Sequence, residues 1–282
     1  MNAATTFINF NGKVLPSGTA VLAADNRGFR YGDGLFETIK VKAGRLLLEQ
    51  YHFERLLAGV RLLQFEPSPF FTAEKLAGQI LELCKKNGHQ ALARVRLVVF
   101  RGDGGLYDPV NYRPNYIIQT WALPAGGSEL NENGLVIDIF PEGRKSCDAL
   151  ANLKSNNYLL YVLAALYARG HQLNDCLVLN NYGRIADSTI ANLFYCKRGQ
   201  LYTPPLTEGG VAGVMRRHLL QVLPGIGLPV QEKETSPEDL EDADEVFLTN
   251  ALKGIRWVRS FGTVTYGCQL TTSISQQLSA NI

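Results

Sequence analysis

The longest uninterrupted apolar stretch of the chain, residues 158–168, is 11 residues long. A membrane span needs about 20, so this stretch reads as a core helix and everything else must be built from shorter pieces. Twenty-seven glycines and 12 prolines lie among those pieces and mark them off as many short strands and helices joined by turns. With 46% hydrophobic and 19% charged residues in 282, there is ample material for a packed core and no case for wholesale disorder. At about 100–200 residues per domain, the length makes one large domain or two of medium size. Lys plus Arg, 28, nearly balances Asp plus Glu, 26, which argues against a nucleic-acid binder with its concentrated basic excess. Five scattered cysteines without a CxxC (Cys84, Cys147, Cys176, Cys196 and Cys268) read as reduced thiols of a cytoplasmic protein. The first dozen residues show no positive stretch followed by an apolar run, so no secretory leader is expected.

Hydrophobic periodicity orders these pieces. Residues 7–10 form a short strand closed by the hairpin dipeptide Asn11-Gly12. Residues 35–41 alternate as a strand, and Ala43-Gly44 turns the chain back into 46–48. Over 50–64, Tyr51, Phe53, Leu56, Leu57, Val60 and Leu63 fall on one helical face. A second helix, 72–87, opens on Thr72 and stops at Gly88. Residues 92–101 and 116–123 read as strands. The composition break Pro124-Ala125-Gly126-Gly127-Ser128 places a domain boundary there. Beyond it come a strand at 135–140 and an amphipathic helix at 156–169 closed by Gly170. Short strands at 176–179, 183–186, 191–196 and 200–202 follow. Helices at 213–222 and 237–243, and last strands at 246–249 and 263–266, complete the series.

Much familiar chemistry is missing. No GxxxxGK[ST] phosphate loop occurs, and Gly32-Asp33-Gly34 is followed by Glu37 where a dinucleotide fingerprint needs glycine. His52, His89, His171 and His218 are far apart, with no HExxH or Cys/His cluster, so no metal site is expected. No GxSxG elbow is present, and Arg101-Gly102-Asp103 reads as a turn after a strand. One lysine stands out. Lys154 lies in Leu153-Lys154-Ser155-Asn156-Asn157, a polar turn entering the most apolar helix. An amine beside apolar packing can shed its proton through desolvation and become available for Schiff-base chemistry, although most lysines at such places are simply solvated.

The motifs around Lys154 decide its meaning. Upstream are Arg30-Tyr31-Gly32-Asp33-Gly34-Leu35-Phe36-Glu37-Thr38 and His52-Phe53-Glu54-Arg55-Leu56. Downstream are Arg184-Ile185-Ala186-Asp187-Ser188-Thr189-Ile190-Ala191-Asn192-Leu193-Phe194, Tyr202-Thr203-Pro204-Pro205, Gly210-Val211-Ala212-Gly213-Val214-Met215-Arg216 and Phe247-Leu248-Thr249-Asn250-Ala251-Leu252. In this order, the series resembles the class IV (fold-type IV) pyridoxal-phosphate enzymes: branched-chain aminotransferases, D-amino acid aminotransferases and aminodeoxychorismate lyases.

The resemblance implies a two-domain α+β fold. A small α+β domain would cover residues 1–122, a linker 123–132, and a larger domain with a β-barrel-like core 133–282. The cofactor, pyridoxal 5′-phosphate, would lie in the cleft between them. Lys154 would hold it as an internal aldimine and move the substrate proton. Arg55 would grip its phosphate with a planar fork, helped by backbone at Gly213 and Val214, which start a helix, and at Asn250 and Ala251. Asp187 would pair with the ring nitrogen, with a side chain one methylene shorter than the glutamate usual there. Tyr31, Phe36 and Arg96 would face substrate, Arg96 as a partner for its carboxylate. For Arg55 the alternative is a helix-surface ion pair near Glu54 or Glu49, and for Arg96 a solvent-facing position beside Arg94. The activity implied is an aminotransferase of amino acids, with branched-chain substrates in view. The alternative is aminodeoxychorismate lyase, because Leu35-Phe36-Glu37-Thr38 and Thr249-Asn250-Ala251-Leu252 resemble the lyases. A cofactor-binding protein without turnover is the reading outside the enzyme class. A homodimer with shared sites is implied as well, with no nucleic-acid or membrane partner.

Overall fold

The computed structural model describes residues 6–124 and 130–279. Apart from Pro124, the expected boundary at 124–128 lies outside the described residues, as do the first five residues of the amino-terminal stretch. The chain divides into two compact units, Met1–Gly127 with Lys154–Asn157 and Ser128–Leu153 with Tyr158–Ile282.

The first unit contains β1 (Phe7–Phe10), β2 (Lys13–Pro16), α1 (Arg27–Tyr31), β3 (Gly34–Lys42), β4 (Arg45–Leu46), α2 (Glu49–Leu62), α3 (Ala73–Lys86), β5 (Leu92–Arg101) and β6 (Pro114–Ala122). Its six strands form an antiparallel sheet in the order β2-β1-β6-β5-β3-β4. Both expected hairpin turns form with two left-handed residues, Asn11-Gly12 at φ 51° and 87° and Ala43-Gly44 at φ 49° and 71°, the twist that antiparallel strands prefer. Alternation then sorts the side chains. Leu35, Glu37, Ile39 and Val41 of β3 stand opposite Val99, Leu97, Val95 and Ala93 of β5, on the face packed by α2. Phe36 and Thr38 lie on the other face with Val98 and Arg96. Thr72 caps α3 by accepting from the Lys75 N–H, a bond worth about 1 kcal/mol.

β4 pairs only with Val41 and Lys42, which leaves the first half of β3 with an open edge. Residues 154–156 close it. The Phe36 N–H donates to Lys154 O at 2.8 Å, the Asn156 N–H donates to Gly34 O at 3.0 Å, and Ser155 bridges Leu35 antiparallel. This pairing corrects the expected helix start at 156, because residues bonded to a strand edge cannot join a helix. The helix begins at Leu159 instead.

The second unit contains β7 (Leu135–Ile139), α4 (Leu159–Gly170), β8 (Asp175–Leu179), β9 (Ile185–Ser188), β10 (Asn192–Lys197), β11 (Gln200–Thr203), α5 (Val214–Val222), β12 (Val230–Glu232), α6 (Pro237–Glu241), β13 (Glu245–Asn250), β14 (Gly254–Phe261), β15 (Val264–Thr265) and α7 (Gln269–Ser279). Nine strands make a mixed sheet in the order β12-β11-β10-β13-β14-β7-β8-β9, with β15 on β14. β9 ends this order, yet only Thr189–Ala191 separate it from β10, five places away, so the sheet curls into a half-barrel. Ile137, Leu177, Leu193, Tyr195, Val246 and Val258 fill one core cluster. Phe140, Tyr161, Ala164, Ala168, Cys176 and Val178, from α4 and its neighbours, fill another. With both faces of β8 covered, all five of its residues are buried, as parallel-paired strands require.

Five elements escape the periodicity: β2, α1, β12, β14 and α7. β14 is hidden by Arg256 and Arg259. α7 owes its start to a distant strand, since Glu245 of β13 accepts from the Leu270 and Thr271 N–H groups. All five cysteines are free. Among the described residues, no helix is long and apolar enough to cross a membrane, and no group of three or more His, Cys, Asp or Glu could hold a metal ion.

Candidate active site

The first unit assembles its cluster around β3. Glu37 points into the core face beside Leu35 and Ile39 and is 1% exposed, so it needs partners. α2 brings two of them on one face. Arg55 Nε donates to Oε1 at 2.8 Å and Arg55 Nη2 to Oε2 at 2.5 Å, while His52 Nδ1 lies 2.6 Å from Oε2. Burial alone would raise the Glu37 carboxyl, but Arg55 and His52 outweigh it and hold it at about 2. His52 is pushed below its ordinary value, first by burial and then by Arg55 and Lys154, against the pull of Glu37. Arg55 is thus tied to Glu37.

On the opposite face, Phe36 carries two cations. Lys154 Nζ lies 4.5 Å from the ring centre and the Arg96 guanidinium 4.0 Å from it. Arg96 is half-buried there and not on an open face, while its neighbour Arg94 stacks on Trp121. Tyr31 ends α1 and packs against Tyr107 and Arg27.

The second unit assembles its cluster around β9. Asp187 is 2% exposed. The Tyr161 hydroxyl of α4 donates to Oδ2 at 2.8 Å and Oδ1 at 3.0 Å, and the Val211 N–H donates to Oδ2 at 2.8 Å. Lys145 Nζ stands 3.5 Å from Oδ2 and donates to the Tyr161 hydroxyl at 2.5 Å. Asp175 fixes the turn that follows, accepting from the Ser188 and Thr189 hydroxyls. Burial drives Asp187 upward, against Lys145, the Val211 N–H and Tyr161.

The same Val211 leads to the helix start. Its carbonyl accepts from Asn192 Nδ2 at 2.9 Å, and two residues on Gly213 caps α5 with no side chain bonded to the first-turn N–H groups. A Cβ at Gly213 would run into Asn192 Oδ1, so the close approach of that amide demands glycine. The result is a bare helix N-terminus, a natural anion site. Asn250 accepts with Oδ1 from the Leu252 and Lys253 N–H groups, which shapes the turn after β13 beside Ala251.

The structure therefore gathers Lys154, Phe36 and Arg96, with Glu37, His52 and Arg55 on the reverse of the same strand, in the first unit. It gathers Asp187, Gly213 and Val214 in the second. Sequence reasoning missed the Glu37–His52 pair, whose signal was an acid at an inward strand position and a histidine three residues before Arg55. It also missed Lys145 and Tyr161, which lie 42 and 26 residues from Asp187 and carry no local signal.

The profile of the family described as amino-transferase class IV matches residues 34–261. An aminodeoxychorismate lyase of Vibrio harveyi is 34% identical over 232 residues, 82% of this chain and 83% of that one. Among solved structures, the 4-amino-4-deoxychorismate lyase of Pseudomonas aeruginosa superposes with a TM-score of 0.85 at 32% identity, covering 98% of this chain and 99% of that one. The branched-chain amino acid aminotransferase of Escherichia coli superposes at 0.88 with 26% identity, covering 99% and 94%. The curled sheet is thus that of fold-type IV aminotransferases. The chain belongs to the class IV aminotransferase family and is an enzyme of that family.

Proposed function

We propose that this enzyme uses pyridoxal 5′-phosphate on a carboxylate-bearing amine, and that its reaction is that of an aminodeoxychorismate lyase, releasing pyruvate and 4-aminobenzoate. The family is pyridoxal-phosphate-dependent, and the residues here fit the group. Asp187 Oδ1 receives only the longer Tyr161 bond among those described, which leaves acceptor capacity for a ring N–H. The bare N-terminus of α5 at Gly213 and Val214 suits a phosphate. Arg55, its guanidinium plane fixed by Glu37, is read as a phosphate ligand, as is the backbone at Asn250 and Ala251. The cofactor supplies an electron sink for charge developing at a substrate α-carbon.

The observation that carries the substrate class is the Phe36 ring, with Lys154 Nζ at 4.5 Å and Arg96 at 4.0 Å. A proton-moving amine and a guanidinium able to grip a carboxylate lie against one ring, as an amino acid substrate needs. Phe36 has no hydroxyl to offer that carboxylate, which leaves the task to Arg96, with Tyr31 nearer the loop around Tyr107.

The lyase reading is supported by identities of 34% and 32% to two lyases against 30% and 28% to two branched-chain aminotransferase relatives. The lyase-like motifs at 35–38 and 249–252 support it too. Arg96 favours the second reading, an aminotransferase acting on branched-chain or other amino acids. The protein loaded with pyridoxal phosphate is given aminodeoxychorismate without any keto acid. Pyruvate release is the expected result. No pyruvate, together with keto-acid formation from L-leucine and 2-oxoglutarate, would support the aminotransferase. Bound cofactor with neither product would mean binding without turnover.

A homodimer belongs to the same reading. Leu159, Val162, Leu163 and Leu166 form an exposed apolar stripe on α4 that suits a second copy, and sedimentation velocity would report a monomer if this is wrong. The free cysteines support a cytoplasmic location.

A further inference from the structure

Lys145 has no part in the roles considered so far, yet it is only 9% exposed and its charge must be accounted for. Its backbone is pinned where β8 ends, with the Lys145 N–H donating to Leu179 O at 2.8 Å and a parallel bridge to Asn180. From there Nζ reaches Asp187 Oδ2 at 3.5 Å and the Tyr161 hydroxyl at 2.5 Å, and that hydroxyl in turn donates to both carboxylate oxygens. An isolated buried carboxylate takes up a proton to avoid charge. Here an ammonium touches the acid, a hydroxyl links the two, and the Val211 N–H adds a third donor.

The other titratable groups nearby are Tyr158, 4.7 Å from the Tyr161 ring, and Cys147 and Asp148 close to Lys145. Burial is the largest influence on both partners, upward for Asp187 and downward for Lys145, so each depends on the other to keep its charge. The aspartate is also short. A carboxylate on one methylene has few ways to adjust, and the Tyr161 hydroxyl and Val211 N–H fix its plane instead.

We propose that Lys145, through its ion pair with Asp187 and through the Tyr161 hydroxyl, is a positioning residue that keeps the Asp187 carboxylate ionised and oriented before any cofactor arrives. Its catalytic meaning rests on the reading of Asp187 as the partner of the ring nitrogen; the coupling of Lys145 to Asp187 does not. An ionised Asp187 stabilises a proton on that nitrogen. With Lys145 gone, the proton passes to the carboxylate and the nitrogen is left neutral.

The test has two stages. In the full chain without cofactor, carboxyl 13C NMR of labelled aspartates follows the Asp187 titration, the resonance being assigned by its loss in Asp187→Asn. Lys145→Met is expected to raise the midpoint by about one unit or more, Tyr161→Phe to raise it less, and Lys145→Arg to restore it. An unchanged midpoint in Lys145→Met overturns the proposal. Should that variant not fold, Lys145→Gln gives the same reading by the same criterion. In the second stage, pyridoxal phosphate labelled with 15N at the ring reports its own protonation. A cationic nitrogen in the wild type that turns neutral in Lys145→Met supports both ideas. A midpoint shift in the first stage without any nitrogen response keeps the coupling and removes Asp187 from the ring-nitrogen role.

Discussion

Glu37 in the first unit and Asp187 in the second are both buried carboxylates with basic partners, and the two move in opposite directions. Glu37 is held at about 2, whereas Asp187 is raised. Burial is the largest influence on both, so the difference lies in the partners. Glu37 meets an arginine fork at 2.8 and 2.5 Å and an imidazole at 2.6 Å. Asp187 meets an ammonium no closer than 3.5 Å, and otherwise a neutral hydroxyl and an amide. A guanidinium keeps its charge wherever it is placed, but burial weakens the charge of Lys145. The first cluster is a strut that fixes Arg55. The second is an acid that burial pushes toward its protonated form and that Lys145, the Val211 N–H and Tyr161 pull back.

The comparison can be broken most directly at Glu37. Glu37→Gln leaves Arg55 and His52 buried without their anion, and is expected to cost about 3–5 kcal/mol of stability, read as a drop in the urea midpoint. Asp187→Asn relieves an acid that burial already disfavours, and is expected to cost about 1–3 kcal/mol through the stranded Lys145. If it costs as much as Glu37→Gln, the two clusters do not differ in the way described.

The pH dependence of the urea midpoint separates them by sign. The Glu37 contribution is complete above its ordinary value of 4.5 and is lost as pH falls toward 2, so Glu37→Gln should flatten that limb. His52, lowered in the fold, adds a loss that begins as pH drops below 6.5, where the unfolded chain takes up the proton first. Asp187, raised in the fold, contributes below 3.8 and loses that contribution as pH rises through its folded value. Asp187→Asn should therefore steepen the acid fall just above 3.8. A flatter limb in Asp187→Asn would contradict the assignment. The smallest effect is expected for Lys145→Arg, within about 1 kcal/mol of wild type in the same unfolding assay, because the positive charge is kept.

The sequence made the strands of the first unit legible because β3 and β5 alternate cleanly and their turns carry Asn-Gly and Ala-Gly pairs. Motif order singled out Lys154, Asp187 and Gly213 as candidates. What it could not show is what depends on pairing at long range. The edge of β3 draws residues 154–156 out of the expected helix. Glu245 caps α7 from another strand. Lys145 reaches Asp187 only because β8 and β9 are neighbours. Motif order singled out Arg55, but not the acid that fixes it, since Glu37 and Arg55 meet across a strand and a helix.

The two units also differ in their notable lysines. Lys154 leans on Phe36 beside Arg96, whereas Lys145 is held by Asp187 and Tyr161. Only the first is expected to form the bond to pyridoxal phosphate. The protein is incubated with the cofactor, reduced with borohydride to trap any imine, digested and mapped by mass spectrometry. The expected result is a phosphopyridoxyl group on Lys154, absent in Lys154→Ala. A label on Lys145, or none on either lysine, would contradict the account.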